Sequence, residues 1–70
     1  MELGQVIKKR REDKKMSQQE LADKAGITQA TVSRLEKDSS DIKLSHLKNI
    51  AAALGCSVIT LITSENKKID

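Results

Sequence analysis

Phenylalanine, tyrosine and tryptophan are all absent from the 70 residues. Without aromatic rings the chain lacks the stacking platforms on which single-stranded nucleic acid and unpaired RNA bases are held, and it has no aromatic pocket for a small-molecule ligand. A single cysteine, Cys56, excludes an internal disulfide, so packing must hold the fold, which suits a reducing, cytoplasmic location. No secretory leader is expected, and no apolar run in the sequence is long enough to span a bilayer, so no membrane partner is expected either. His46 has no cysteine or second histidine beside it, which leaves a metal site without ligands. Cys56 occupies an apolar slot between Gly55 and Val58 and reads as a small buried thiol, because a nucleophile would need a base and a pocket. No glycine-rich phosphate loop is present. No catalytic residue, cofactor or metal is therefore expected, and the protein is expected not to be an enzyme.

Seventy residues make one small domain, near the lower limit at which a single apolar core suffices. The net charge of +3 is modest but uneven, since Lys8, Lys9, Arg10, Arg11, Lys14 and Lys15 crowd the first predicted helix. Taken alone such a run fits a solvated helix face; it also favours nucleic acid or an anionic membrane. Given the missing aromatics, duplex DNA suits the composition better.

Five short helices around one core are expected, an all-α fold. From Glu2 to about Lys14, Leu3, Val6 and Ile7 recur at helical spacing. Ser17 with Glu20 three residues on is a capping box that starts a second helix at about Gln18, with Leu21, Ala22 and Ala25 on one face and Gly26 able to end it. After an apolar plug at Ile27, Thr28 is an N-cap, and Val32 and Leu35 give the third helix a narrow buried stripe. The polar stretch Asp38 to Lys43 reads as the longest loop. Ser45 is a plausible cap for a fourth helix burying Leu47, Ile50, Ala51 and Leu54, with Gly55 at its end. The β-branched run from Ser57 to Thr63 would suit a strand, but a lone strand would have no partner in so short a chain. A helix burying Val58, Leu61 and Ile62 is expected instead, leaving Ile59 outward. Residues 1–63 are thus expected to form one helix-turn-helix domain, with the motif at about 17–36, and residues 64–70 a polar, frayed tail.

If Val32 and Leu35 face inward, the outward arc of the third helix carries Gln29, Ala30, Ser33, Arg34 and Lys37, with Thr28 at its start. Glutamine can pair bidentately with adenine and arginine with guanine, and a small alanine can rest against a thymine methyl. Phosphate contacts should flank the arc. Gln18 lies at a helix N-terminus, where unpaired N–H groups favour an anion, and Lys37 and Lys43 bracket the following loop. Such contacts position a protein on DNA without reading sequence.

From about Leu3 to Ile62 the chain resembles the lambda-type phage repressor and Cro (XRE-like) helix-turn-helix family. The resemblance rests on QxxLAxKAG from Gln18 to Gly26, the following TQATVSRLE, and IAAALGCSV from Ile50 to Val58. It implies a compact five-helix lambda-repressor-like domain that binds operator DNA, commonly palindromic, as a homodimer and regulates transcription. By position it implies base contacts at Thr28, Gln29, Ala30, Ser33 and Arg34, and a phosphate contact at Gln18. It further implies a structural ion pair between Arg11 and Glu36, tying the third helix to the first. The loop departs from the family pattern, since LEKDSSDIKLS lacks the glycine common after the glutamate and the proline common further on. Ile59 is the expected dimer contact. The alternative function is an antitoxin-type helix-turn-helix protein whose main partner is a toxin protein; a longer segment able to wrap such a partner would favour it.

Overall fold

The structure, a computed structural model, describes residues 3–40 and 42–65. Its five helices are α1 (Leu3–Asp13), α2 (Gln18–Ala25), α3 (Gln29–Lys37), α4 (Leu44–Leu54) and α5 (Val58–Glu65), and no strand occurs among the described residues. The part of the expected tail beyond Glu65, residues 66–70, lies outside them.

Local chemistry sets most of the helix ends. The Ser17 hydroxyl accepts from Glu20 N–H at 3.0 Å while the Glu20 carboxylate accepts from Ser17 N–H at 2.8 Å, so two otherwise orphaned donors at the head of α2 are satisfied. Thr28 satisfies one such donor at the head of α3, its Oγ1 accepting from Thr31 N–H at 3.1 Å. The helices α1, α2 and α4 stop in one way. In each, a residue of positive φ (Lys15, Gly26 or Gly55) is followed by an amide that donates back to a carbonyl five residues earlier, from Met16 to Arg11, Ile27 to Ala22 and Cys56 to Ala51. This is the Schellman motif, in which the residue after the left-handed one characteristically makes an apolar contact. Met16, Ile27 and Cys56 are accordingly half-buried against the core.

Each helix sends at least one side chain to the centre of that core: Ile7, Leu21, Val32, Ile50, Leu54 and Leu61 are the largest fully buried residues. Burying one such side chain contributes about 1.5–3 kcal/mol, which identifies these six as the principal source of stability. Around them α2 packs on α3 and α4, and α1 on α3 and α5. The pair α2–α3 is thereby backed from both sides.

Two expectations are corrected. The cap of α4 is Lys43 and makes no side-chain hydrogen bond, so Ser45 lies inside the first turn. Ile42 and Leu47 occupy the two positions of a hydrophobic staple and both pack into the core; this apolar pair marks the start of α4 in place of a hydroxyl. In α5, Leu61 is fully buried and Val58 half-buried, but Ile62 is 42% exposed. A helix of eight residues presents a stripe centred on Val58 and Leu61 at i, i+3 spacing, and Ile62 falls at its edge.

Candidate nucleic-acid interface

The third helix divides by face. Val32, Leu35 and Glu36 are buried. Thr28, Gln29, Ala30, Arg34 and Lys37 are exposed and Ser33 is half-buried. The helix of nine residues is roughly 13 Å long, enough for one unbroken row of these side chains.

Behind this row runs a chain of hydrogen bonds joining α1, α2 and α3. Arg11 donates from Nε to Glu36 Oε2 at 2.7 Å and from Nη2 to Glu36 Oε1 at 3.2 Å. Its Nη1 donates to the Met16 carbonyl at 2.7 Å. Both partners are buried, at 8% and 7% exposure, and a fork-shaped guanidinium held on three acceptors has little freedom left. Because the hydrogen bond to Glu36 outweighs desolvation, the Arg11 pKa is raised above the ordinary guanidinium value. Among the described residues no buried side-chain polar atom lacks a partner, which is the condition under which a buried ion pair is tolerated.

The chain continues outward. Gln18 donates from Nε2 to Glu36 Oε1 at 3.0 Å, which turns its own carbonyl oxygen toward Gln29, and Gln29 Nε2 donates to that oxygen at 2.6 Å. An exposed glutamine ordinarily samples many rotamers. Here the buried carboxylate orients Gln18, and Gln18 orients Gln29. That bond consumes one N–H of Gln29 and leaves the other N–H and the Oε1 of this exposed side chain as a donor and an acceptor.

The remaining candidate residues are more dispersed. Lys43 is exposed and is the N-cap residue of α4, and its side chain makes no cap hydrogen bond. The basic run of α1 does not form one surface: Arg11 turns inward, Lys9 pairs with Asp13 at 3.7 Å, and the Lys14 ammonium lies 3.8 Å from where a Cβ on Gly55 would stand. In the loop after α3, the Asp38 carboxylate accepts from Ser40 N–H at 3.0 Å, and this bond holds its pKa below the ordinary carboxylate value. Ile59 is 75% exposed and Leu44, which sequence reasoning passed over, is 61% exposed.

Sequence reasoning also missed Gly4 and Ser39. The Ser39 hydroxyl accepts from the Gly4 N–H at 3.2 Å, and the Gly4 backbone lies directly on the last carbonyls of α3. A Cβ built on Gly4 would stand 2.5 Å from the Leu35 oxygen and 2.8 Å from the Glu36 oxygen. A glycine inside an amphipathic helix was the available signal, since it costs helix propensity and so implies a close approach. Its partner could not be named without the fold.

No helix among the described residues is long and apolar enough to cross a membrane, and none of their side chains cluster in a way that could hold a metal.

The profile of the helix-turn-helix family matches residues 7–61. The immunity repressor protein of Bacillus phage phi105 is 35% identical over 65 residues, covering 93% of this chain and 45% of that protein. The HTH-type transcriptional regulator SinR of Bacillus licheniformis is 33% identical over 66 residues, covering 93% of this chain and 60% of that protein. The chain thus spans about half the length of the curated relatives it matches. Among solved structures, the wild-type restriction-modification controller protein C.Esp1396I superposes with a TM-score of 0.86 at 30% identity, over 94% of this chain and 86% of that one. The DNA-binding domain of the P22 C2 repressor superposes with a TM-score of 0.82 at 26% identity, over 89% of this chain and 82% of that one.

Proposed function

Because this chain belongs to the helix-turn-helix family of lambda-type repressors, we propose that it is a sequence-specific transcriptional regulator that reads double-stranded operator DNA with α3 in the major groove. The observation that carries the reading is the Gln18–Gln29 hydrogen bond. The free N–H and Oε1 of Gln29 match the acceptor and donor of an adenine edge, N7 and N6–H, and a bidentate pair of this kind supplies about 1–3 kcal/mol of discrimination. Arg34 has the fork that suits guanine O6 and N7, while Thr28, Ala30 and Ser33 line the same face for thymine methyls and shorter polar contacts.

Gln18, Lys37 and Lys43 are the phosphate contacts in this reading. Gln18 has one N–H left at the head of α2, and Lys43 is the N-cap residue of α4, so both lie where a helix N-terminus attracts an anion. One copy offers few base contacts, and a homodimer would double them across half-sites about 34 Å apart. Ile59 is the dimer contact, because an isoleucine 75% exposed on α5 gains most by burial against a second copy.

Selection of bound duplexes from a random library tests the reading. A palindromic enriched motif is the expected result. Failure of a folded sample to enrich any motif at moderate salt, where phosphate attraction no longer masks base contacts, would contradict it.

A further inference from the structure

We infer that Gly4, which lies on α1 and carries no side chain to offer DNA, is a positioning residue for base reading, because its bare backbone sets the angle at which α3 is presented. The inference rests on the DNA-reading role proposed for α3. At its N-terminal end α1 meets the C-terminal end of α3 backbone to backbone, an approach possible only because residue 4 has no Cβ, which would stand 2.5 Å from the Leu35 oxygen and 2.8 Å from the Glu36 oxygen. The same end is fastened by the Gly4 N–H on the Ser39 hydroxyl. One residue, Glu36, meets α1 twice, its main-chain oxygen lying against Gly4 and its carboxylate held by Arg11 at 2.7 Å. From that carboxylate the hydrogen bonds lead through Gln18 to Gln29.

A methyl at position 4 falls about 1 Å short of ordinary van der Waals separation from the Leu35 oxygen, and its neighbour is backbone rather than a flexible side-chain tip. Relief requires α1 and α3 to part. Since α3 has only nine residues, displacing its last turn also tilts its first, where Thr28, Gln29 and Ala30 sit. Hydrogen bonds to base edges weaken steeply once distance and angle depart from their narrow range, whereas phosphate contacts from long, exposed lysine side chains tolerate such a tilt.

Gly4→Ala tests this beside Gly55→Ala, which introduces a side chain at a φ of +76 between α4 and α5, with its Cβ at ordinary contact distance from the end of Lys14. Both variants are destabilised, so all binding is measured well below the lower melting temperature. Gly4→Ala is expected to bind the enriched duplex about tenfold more weakly, the equivalent of one lost bidentate contact, with affinity for unrelated duplex unchanged. Gly55→Ala is expected to keep both affinities. In the free proteins, amide residual dipolar couplings should report a rotation of α3 against α2 in Gly4→Ala alone. An unrotated α3, or a preserved ratio of specific to nonspecific affinity, would overturn the inference. If Gly4→Ala does not fold, Ser39→Ala removes the acceptor of the Gly4 N–H without adding an atom, and the same two readouts apply with a smaller loss expected. Failure of the unsubstituted protein to enrich any motif would refute the DNA-reading role instead, and the couplings would then decide by themselves whether Gly4 sets the angle of α3.

Discussion

Glu36 takes two hydrogen bonds from Arg11, at 2.7 and 3.2 Å, with both side chains buried, and so fastens the back of α3 to α1. Removing the carboxylate in Glu36→Ala leaves a buried guanidinium without its counter-charge, a change that costs about 3–5 kcal/mol. In a domain of this size each kcal/mol shifts Tm by roughly 4–8 °C, so a fall of more than about 10 °C is expected by calorimetry, with Glu36→Gln in between. An unchanged Tm would show that the pair contributes nothing.

The same pair has a defined pH dependence. Hydrogen bonding to Glu36 raises the folded-state pKa of Arg11 above its unfolded value, so its contribution is fully present below the unfolded pKa and is lost only as pH rises through the folded one. Both lie beyond the range of ordinary buffers. The destabilisation by Arg11→Met should therefore be the same at pH 7 and pH 9.5 in urea titrations; a difference that shrinks toward pH 9.5 would contradict the assignment.

Lys15 adopts a φ of 58 at the end of α1, the position Gly26 and Gly55 fill after α2 and α4. A side chain in the left-handed region costs about 1–2 kcal/mol, part of which glycine gives back through its larger unfolded-state entropy. Lys15→Gly is expected to raise stability by about 0.5–1 kcal/mol in urea unfolding. A lower midpoint would mean that the lysine side chain makes a contact outweighing the strain.

Much of this architecture can be read locally. Ser17 with Glu20, Thr28, Gly26 and Gly55 act within a turn of their own helix, so their spacing alone marks both ends of α2, the start of α3 and the stop of α4. Ser45 misleads because the start of α4 is decided by the burial of Ile42 and Leu47, and burial is a property of the assembled core. The exposed row of α3 follows from the inward spacing of Val32 and Leu35. What holds that row does not: Gln18 reaches Glu36 across 18 residues, and Gly4 reaches Ser39 across 35. No pattern within a helix encodes a contact between helices.

Ile59→Asp should leave the fold intact, since the residue is 75% exposed and surface substitutions usually change stability by less than about 0.5 kcal/mol. Sedimentation equilibrium is expected to give a folded monomer for this variant and a dimer for the unsubstituted protein, as the proposed homodimer requires. A persisting dimer would remove this face of α5 from the interface.

Gln18→Ala is expected to weaken binding to every duplex, through loss of the phosphate contact proposed for it, and to weaken the enriched duplex further because Gln29 loses the oxygen that orients it. Filter-binding or anisotropy titrations on matched and unrelated duplexes separate the two effects. Equal losses on both would show that the hydrogen bond between the two glutamines does not aid base reading.

The most direct test of α3 as the reading element is the affinity of Gln29→Ala for the enriched duplex and for an unrelated duplex of equal length, at one moderate salt concentration. A loss of about 1–3 kcal/mol on the enriched duplex alone is the predicted result. An equal loss on both duplexes, or none on either, would contradict it.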